Sequence, residues 1–331
     1  MTAKEILDAF GKLRALVVGD ICLDRWCTYD PALADISRET GIARVAVVAT
    51  EVTAGGGGTV ANNLAALGAG RVAVLGVVGR DGFGYELEGA LAARGIGSEL
   101  LVRADVPTFT YTKLINRRTG EEDLPRVDFV NAEATPADVE RELVARLERA
   151  APDFDAILIS DQAETSQGGV VTAAVRDALA GLATRHPATV FWADSRLRAE
   201  LFRRVIVKGN RAEMEAASTR AIGRVDYAEF RKRLQAPLLM ITAGGEGATI
   251  AGESGMARSA SRNIEKPVDI CGAGDSFSAA AALALKVTGD ALAAANFGNI
   301  AASITIMKKG TGTASPGEML ERAASNFRAG T

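Results

Sequence analysis

The sequence predicts an α/β protein in which a mostly parallel central sheet is flanked by helices and carries a small β-sheet lid. Short apolar runs that are rich in β-branched residues alternate with longer helical patterns along the chain. The runs are apolar throughout, which is typical of strands that are buried on both faces of a parallel sheet. Two further segments mix polar and apolar positions, and these segments predict the lid.

Six apolar runs predict the strands of the central sheet, at residues 15–23, 71–79, 156–161, 189–195, 204–210 and 238–244. Helical patterns cover residues 59–68, 83–95, 136–150, 167–185 and 224–234, and another helix begins within 272–275 and ends at Thr288 and Gly289. The predicted lid comprises residues 25–53 and 107–130, as an antiparallel flap with a hairpin turn at NRRTGEED. Because no repeat or long linker interrupts the chain, residues 1–331 are predicted to form a single domain.

The composition excludes several classes of function. Lys and Arg number 38 against 41 Asp and Glu, so the net charge of −3 gives no case for binding to nucleic acid or to a membrane. No apolar run is long enough to span a membrane and the N-terminus lacks the order of a secretory signal, so we expect a cytoplasmic protein. Three cysteines and a single histidine, His186, make neither a disulfide framework nor a zinc cluster. The chemistry must therefore rely on carboxylates, backbone amides and, where a metal takes part, Mg²⁺.

The segment DICGAGDSF, residues 269–277, places an aspartate, Asp275, directly after three small residues at the start of a helix. The small residues are Gly272, Ala273 and Gly274, and they allow a ligand to approach the backbone closely. Free N–H groups at a helix start attract anions. Two interpretations of Asp275 are open, because it fits a helix cap and equally a base beside a bound phosphate.

DICGAGD resembles the hallmark of the ribokinase-like (PfkB) carbohydrate kinases. Other segments resemble motifs of that family in the same order, namely GDICLD (19–24), GGGGTVANNLAALG (55–68), VGRDGFG (78–84), DSR (194–196), NRAE (210–213) and TAGGEG (242–247). The resemblance covers essentially the whole chain. It implies the phosphorylation of a sugar or sugar-phosphate hydroxyl by ATP with Mg²⁺, and K⁺ as a further candidate cofactor. LDRW (23–26) and RVDF (126–129) are similar to segments of the kinase domains that act on bacterial heptose 7-phosphate.

The resemblance also implies a role for individual residues. The amides of Gly272, Ala273 and Gly274 would form an anion hole, and Asp275 would take the proton of the attacking hydroxyl. The substrate-side candidates, of which Asp24 is favoured as the hydroxyl ligand, are Asp20, Asp24, Gly55, Gly56, Thr59, Lys113 and Asp161. The nucleotide-side candidates are Asp194, Arg196, Asn210, Glu213, Thr242, Gly244 and Gly247. Glu213 would hold Mg²⁺ through water, and Asp269 would hold a monovalent cation.

Several of these residues have equally simple structural interpretations. Asn210 and Glu213 fit the N-cap and N3 positions of a helix. Residues 242–247 fit an ordinary glycine turn, Asp269 fits a carboxylate that accepts loop amides, and Arg196 fits a solvated side chain. One of the two aspartates in GDICLD fits a structural cap.

The chain departs from the family pattern at three positions. Thr59 stands where the family usually has asparagine, and Glu164 stands where the heptose kinases have lysine. Cys271 stands where threonine is common, and it is expected to be a small packing residue. Because an acid at position 164 would repel a sugar phosphate, we predict that neutral sugars outperform phosphosugars and that Glu164→Lys improves phosphosugar use.

Two other functions are open at this point. GGGGTVA contains a variant of the dinucleotide-binding fingerprint at Gly56, Gly58 and Ala61, with Asp81 as a candidate ribose ligand, which would suit an oxidoreductase. This alternative leaves GAGD unexplained. A kinase-like fold with an altered sugar pocket also suits a non-catalytic nucleotide-binding or metabolite-binding regulator. The expected partner is a small sugar or sugar phosphate, and an exposed edge strand of the lid predicts a homodimer.

Overall fold

The computed structural model describes residues 1–165, 167–261 and 264–328. The strands are β1 (Arg14–Gly19), β2 (Ile21–Tyr29), β3 (Asp35–Ile36), β4 (Ala43–Arg44), β5 (Val47–Gly56), β6 (Arg71–Leu75), β7 (Val77–Gly79), β8 (Gly97–Ser98), β9 (Leu101–Arg103), β10 (Thr110–Asn116), β11 (Ala156–Asp161), β12 (Val190–Ser195), β13 (Ile206–Asn210), β14 (Leu239–Thr242), β15 (Ala248–Gly252) and β16 (Gly255–Ser259). The helices are α1 (Ala3–Phe10), α2 (Gly57–Ala66), α3 (Gly82–Ala92), α4 (Ala137–Ala150), α5 (Ala173–Arg185), α6 (Arg211–Ile222), α7 (Tyr227–Leu234), α8 (Ala273–Thr288), α9 (Ala291–Thr305) and α10 (Pro316–Arg328). In this described part of the chain, every helix is too short or too polar to traverse a bilayer.

The central sheet has nine strands in the order β16-β15-β14-β13-β12-β11-β1-β6-β8. The strands from β14 to β8 run parallel, and β15 and β16 add an antiparallel edge. Side chains alternate between two cores, since Val17 packs with helices α1, α2, α8 and α9 while Leu16 and Val18 pack with α4 to α7. The predicted α/β architecture is confirmed.

Helix α8 crosses the centre of one face of this sheet and packs against α2 and α9. Its residues 276–284 are all buried, and most of them are alanine, so neighbouring backbones approach closely on every side. The rigid setting fixes the first turn of the helix, which carries Asp275, at the carboxyl edge of the sheet.

The lid is a three-stranded sheet in the order β10-β2-β5. Strands β2 and β5 are antiparallel, but β10 lies parallel to β2 with Thr110 opposite Leu23. The predicted antiparallel flap is therefore wrong in this pairing. The chain between β2 and β10 passes through α2 and α3, and such a long crossover permits parallel pairing. The turn predicted at NRRTGEED is present, because Ile115 and Glu122 form an antiparallel bridge across it.

Two predicted strands are interrupted where the chain leaves the central sheet for the lid side. The run 15–23 divides at Asp20 into β1 and β2, and the run 71–79 divides at Gly76 into β6 and β7. A β-carbon at Gly76 would lie 2.5 Å from the carbonyl oxygen of Gly19, so the two break points pack against each other. The sequence does not reveal these breaks, because the residues on both sides of each break are apolar and buried.

Candidate active site

A cavity of about 540 Å³ opens at the carboxyl ends of β12, β13 and β14, beside the first turn of α8. Ligands of open parallel sheets bind at this edge. The predicted site residues that line the cavity are Asp194, Arg196, Asn210, Glu213, Thr242, Gly244, Gly247, Gly272, Ala273, Gly274 and Asp275. The structure thus brings the predicted nucleotide-side and phosphoryl-side residues together.

The first turn of α8 presents backbone N–H groups to the cavity. Gly272 precedes the helix with φ of 76°, a left-handed conformation that favours glycine. The N–H of Ala273, which was also predicted to face an anion, donates instead to the carbonyl oxygen of Ile270 at 3.3 Å. Within the described chain, the N–H groups of Gly272 and Gly274 have no hydrogen-bond acceptor, as expected at a helix start that lacks a side-chain cap. Such N–H groups carry the positive end of the helix dipole, so the turn is suited to an anion.

Asp275 belongs to this first turn and lines the cavity. Burial raises the pKa of Asp275 to about 7, and repulsion from Asp194 adds to the shift, while Lys208 and Arg196 oppose it. A carboxylate with a pKa near neutrality is well matched to accepting a proton. The capping interpretation is not what the structure shows, because no side-chain cap is formed at this helix start.

Asp24 lies on β2 of the lid and faces the cluster of charges beside Asp275. Burial raises the pKa of Asp24 to about 6, while the Cys22 thiol and then Lys113, Arg126 and Arg196 lower it. A β-carbon at Gly55 on the neighbouring strand β5 would overlap the Asp24 carboxylate, so glycine is required there. The Asp24 carboxylate accepts the Cys22 thiol at 3.7 Å, and carboxylate oxygens also accept hydrogen bonds from hydroxyl groups.

Tyr111 on β10 is the centre of a polar cluster that meets the cavity at Arg196, and this cluster is the predicted acceptor end of the site. Its hydroxyl donates to Glu164 Oε1 at 2.9 Å and accepts from Arg196 Nη1 at 3.2 Å. Arg126 lies over the Tyr111 ring at 4.9 Å and pairs with Asp128 at 2.6 Å. Arg196, predicted on the nucleotide side, thus also reaches the acceptor side. Glu164 pairs with Arg196 at 3.6 Å, so its charge is compensated.

Tyr111 and Arg126 were not among the predicted site residues. The alternation in TFTYTKL contains the signal for Tyr111, because residues two apart on a strand share a face and Lys113 was a candidate. Lys113 Nζ lies 3.5 Å from Glu122 Oε2 and 3.9 Å from the Sγ atom of Cys271. The lid therefore contacts the loop that leads into α8.

Asp20 and Asp161 are structural rather than exposed to the cavity, which corrects their prediction as substrate ligands. The Asp20 carboxylate accepts the N–H groups of Gln162 and Val170, each at 2.8 Å, and burial raises its pKa to about 6. Asp161 is buried and forms an ion pair with Arg198. Both carboxylates thus fasten loops at strand ends, since a buried carboxylate must be hydrogen-bonded or paired.

Gly56 and Thr59 also serve the fold. Gly56 precedes α2 with φ of 55°, and a β-carbon there would lie 2.7 Å from the carbonyl oxygen of Asp20. Thr59 is buried in α2, and its methyl group packs behind Gly272. The predicted substrate contact of Thr59 is corrected, because the side chain supports the anion-binding turn from behind.

The dinucleotide-binding alternative is contradicted by the position of the glycine-rich segment. The preceding strand β5 belongs to the lid, whereas that fingerprint follows a strand of the central parallel sheet. Asp81 caps α3 through the N–H of Gly84 at 2.8 Å and accepts the hydroxyl of Thr108 at 2.7 Å. Both oxygens of the Asp81 carboxylate accept hydrogen bonds from the protein itself.

On the nucleotide side, Asn210 and Glu213 form a capping box at the start of α6. Asn210 Oδ1 accepts the N–H of Glu213 at 3.0 Å, and Glu213 Oε2 accepts the N–H of Asn210 at 2.7 Å. Both residues nevertheless line the cavity, and burial raises the pKa of Glu213. The interpretation of Asn210 and Glu213 as helix-capping residues is therefore confirmed, and both residues still line the cavity.

The turn that follows β14 supplies another wall of the cavity. Thr242 Oγ1 contacts the carbonyl of Gly209 at 3.4 Å, and Gly244 and Gly247 adopt φ of 54° and 89°. These glycines let the chain turn while the backbone stays open to a ligand.

Asp269 fastens the loop before α8. Its Oδ1 accepts the N–H of Cys271 at 2.9 Å and its Oδ2 accepts the N–H of Gly310 at 3.2 Å. This geometry matches the structural interpretation of Asp269, and the described residues contain no cluster of three or more His, Cys, Asp or Glu side chains able to hold a metal.

Asp194 is paired with a lysine that sequence reasoning missed. Asp194 Oδ2 lies 2.6 Å from Lys208 Nζ and accepts the hydroxyl of Ser278 at 3.3 Å. RVIVKGN contains a signal for this pair, because Lys208 lies within an apolar strand run and a lysine that is buried there needs a partner. The predicted direct contact of Asp194 with nucleotide is therefore limited, since one oxygen is used by Lys208.

A family model described as pfkB family carbohydrate kinase matches residues 15–317. The D-beta-D-heptose 7-phosphate kinase of Bordetella bronchiseptica is 30% identical over 94% of this chain and 96% of its own length. The bifunctional protein HldE of Pelobacter propionicus is 30% identical over 98% of this chain, which spans 66% of that relative. Among solved structures, phosphofructokinase-2 from Escherichia coli in complex with potassium has a TM-score of 0.73 at 19% identity, covering 95% of this chain and 99% of its own. Ribokinase from Thermotoga maritima has a TM-score of 0.70 at 18% identity, covering 94% and 99%.

Proposed function

The chain belongs to the pfkB family of carbohydrate kinases, and on that basis we propose that it transfers the γ-phosphoryl group of ATP to a hydroxyl group of a sugar or sugar phosphate. One observation carries the assignment of the site. Asp275, whose burial raises its pKa to about 7, lies in the same cavity as the unpaired N–H groups of Gly272 and Gly274. A base and an anion site side by side are what phosphoryl transfer requires.

The proposed reaction assigns each group one task. The acceptor hydroxyl lies between Asp24 and Asp275, and its proton passes to the Asp275 carboxylate as its oxygen bonds to the γ-phosphorus. The bond from that phosphorus to the bridging oxygen breaks at the same time, and ADP leaves. The N–H groups of Gly272 and Gly274 stabilise the negative charge on the migrating group, and one such donor typically contributes about 10²–10³ in rate. Asp24 orients the acceptor by accepting hydrogen bonds.

The donor set fits Mg²⁺, which keeps several waters and binds phosphate oxygens with only one or two protein carboxylates. Glu213 and Asn210 line the cavity and would hold the ion through water. When bound, Mg²⁺ would neutralise phosphate charge. We also propose K⁺ as an activator, since one structural relative was crystallised with potassium. Both oxygens of Asp269 accept backbone N–H groups, so its part would be to shape the loop.

The proposal is tested by an acceptor screen with MgATP that covers free sugars, sugar phosphates and nucleosides and measures ADP formation. With the best acceptor, we expect Asp275→Asn to lower kcat at least about a hundredfold while nucleotide binding survives. Asp290 provides the control, because this aspartate caps α9 through the N–H of Leu292 at 2.8 Å. Asp290→Asn should leave kcat unchanged. Unchanged turnover in Asp275→Asn would refute the assigned role, and binding without turnover across the panel would favour a regulator.

We propose in addition that the lid joins two copies of the chain. Strand β5 is at the edge of the lid sheet, and Val47, Val48 and Val52 on it are exposed, as are Ile36 and Ile42 in the connection to it. An edge strand with apolar side chains is a template for pairing with a second copy. Val48→Glu should convert a dimer to a monomer in sizing with light scattering. A wild-type protein that is monomeric at high concentration would contradict this proposal.

A further inference from the structure

Asp20 is a buried aspartate that the reaction described above does not use. It lies between β1 and β2, where the chain leaves the central sheet for the lid, and it is 6% exposed. Its N–H donates to the carbonyl oxygen of Ser160 near the end of β11, and its carbonyl oxygen accepts the N–H of Gly57 at the start of α2, each at 2.9 Å. Its carboxylate accepts the N–H groups of Gln162 and Val170. Every polar group of Asp20 is therefore used to join segments that are distant in sequence.

The carboxylate holds both ends of one loop, residues 162–170, which we name the acceptor loop. Oδ2 of Asp20 accepts the N–H of Gln162 and Oδ1 accepts the N–H of Val170, each at 2.8 Å. Gly169 allows this contact, because its φ is 85° and a β-carbon there would lie 3.1 Å from both carboxylate oxygens. The Asp20 carboxylate therefore fixes the two ends of the acceptor loop relative to each other.

The acceptor loop places Glu164 at the acceptor end of the site. Oε1 of Glu164 accepts the hydroxyl of Tyr111 at 2.9 Å and lies 3.6 Å from Nη1 of Arg196. Gln162, whose N–H is held by Asp20, itself lines the cavity. Because Glu164 is only two residues from Gln162, the position of the Glu164 carboxylate depends on the hydrogen bond between Gln162 and Asp20.

We propose that Asp20 is a positioning residue for the choice of acceptor, because its carboxylate holds the acceptor loop so that Glu164 stays paired with Arg196. The inference rests on the proposed kinase function. While the loop is held, Arg196 is occupied, and the negative charge of Glu164 repels a phosphate group on the acceptor. When the loop is released, Arg196 is free to donate charged hydrogen bonds to such a phosphate group. Asp20 thus favours neutral sugars over phosphosugars without contacting either.

Asp20→Asn tests the proposal, because it keeps the size of the side chain but replaces one carboxylate oxygen by an NH₂ group, which cannot accept an N–H. One end of the acceptor loop is therefore released. The measured quantity is the ratio of KM for a sugar phosphate to KM for the corresponding free sugar, and a sugar that binds without being phosphorylated is measured by its inhibition constant. We expect this ratio to fall about fivefold, as for the loss of one hydrogen bond, and kcat to change little.

A purely structural role of Asp20 is the competing explanation, and a double-mutant cycle separates the two. If Asp20 acts through Glu164, Asp20→Asn should not change the KM ratio further in a Glu164→Gln background. A structural role predicts a lower Tm and a lower kcat with both acceptors, and a KM ratio equal to that of the wild type. Asp155→Asn is the matched control, because Asp155 accepts the N–H of Arg14 at 2.9 Å and so joins the same two strands, β1 and β11, at their opposite ends. It should leave the KM ratio unchanged.

Gly169→Ala keeps the test decisive should Asp20→Asn fail to fold. It retains the carboxylate and displaces the acceptor loop from it, so the KM ratio should fall in this variant as well. Gly95→Ala is its control, since Gly95 has a left-handed φ of 67° with open space around it. A wild-type KM ratio in folded Asp20→Asn or Gly169→Ala would overturn the inference, and so would an undiminished effect of Asp20→Asn in the Glu164→Gln background. A wild-type protein that phosphorylates no acceptor would instead refute the proposed function itself.

Discussion

The two ends of the candidate site, the phosphoryl end and the acceptor end, are built in different ways. The phosphoryl end is formed mainly by backbone segments, namely the first turn of α8, the start of α6 and the glycine turn after β14. At the acceptor end, side chains from the lid and the central sheet meet, including Tyr111, Arg126, Glu164 and Arg196. The backbone groups at the phosphoryl end do not distinguish one acceptor from another, whereas the side chains at the acceptor end can. Changes at the first end should therefore lower kcat for every acceptor, and changes at the second should alter KM for particular ones.

The largest expected effect tests the backbone end. Gly272→Ala forces a side chain into a left-handed conformation and against Thr59, so the anion-binding N–H groups are displaced. We expect kcat to fall about a hundredfold with every acceptor, as for the loss of one oxyanion donor. Gly289 is the matched control, because it ends the same helix with φ of 65° and has open space around it. Gly289→Ala should lose similar stability in thermal unfolding but keep kcat; equal kcat losses would show strain rather than displacement.

The phosphoryl end was also the end that the sequence could predict. The family resemblance pointed to GAGD, NRAE and TAGGEG. The residues in each motif are close in sequence and glycines and caps impose their geometry locally, so the candidates among them line one cavity. The acceptor end combines residues that are 15 to 85 positions apart, such as Tyr111 with Arg126 and Arg196. Their meeting depends on the parallel pairing of β10 with β2, which periodicity alone does not give.

The same difference explains the individual errors at the site. Asp20 and Asp161 had the residue type of sugar ligands, but the loop amides and Arg198 that satisfy them come from distant segments. Lys208 was overlooked because its strand reads as apolar, and its partner Asp194 lies on the neighbouring strand β12. Sequence spacing identifies site residues that lie within one turn. Site residues that lie on different strands can be brought together only once the order of the strands in the sheet is known.

The pH dependence of the reaction separates the two ends next. Asp275 must be deprotonated to accept a proton, and its pKa of about 7 lies above that of Asp24, which is about 6. We expect kcat/KM for the acceptor to fall about tenfold for each pH unit below 7 and to be level above it, since the fraction of deprotonated base in the free enzyme sets this rate constant. The measurement is a pH profile with two different acceptors. A midpoint that moves with the acceptor would place the controlling group at the acceptor end instead.

A smaller and more selective effect is expected at Glu164. This carboxylate occupies Arg196, a cation that could otherwise contact a phosphosugar. Glu164→Gln should therefore lower KM for a sugar phosphate about tenfold, by freeing a charged donor, and leave KM for the corresponding free sugar nearly unchanged. Asp30→Asn, which removes the partner of Arg117 elsewhere in the lid, is the control. If the wild type already prefers the phosphosugar by a wide margin, the inhibitory role of Glu164 is wrong.

The smallest expected effect is on thermal stability, and it compares Asp275, the proposed base, with Asp290, an aspartate that caps a helix. Asp275 has a raised pKa of about 7 against an ordinary value of 3.8, so the folded protein holds its proton over a pH range in which the unfolded chain has lost it. The favourable contribution of Asp275 to the free energy of unfolding is complete below the pKa that the group has in the unfolded chain, and it is lost as the pH rises through 7. Asp275→Asn should therefore raise Tm by a few degrees at pH 8, and the difference should shrink towards pH 4. Asp290→Asn, at a cap, should show no gain at pH 8. If Asp275→Asn and the wild type have the same Tm at pH 8, the ionised Asp275 carboxylate is well stabilised in the folded protein. The phosphoryl end would then lack the destabilised carboxylate that distinguishes it from the acceptor end.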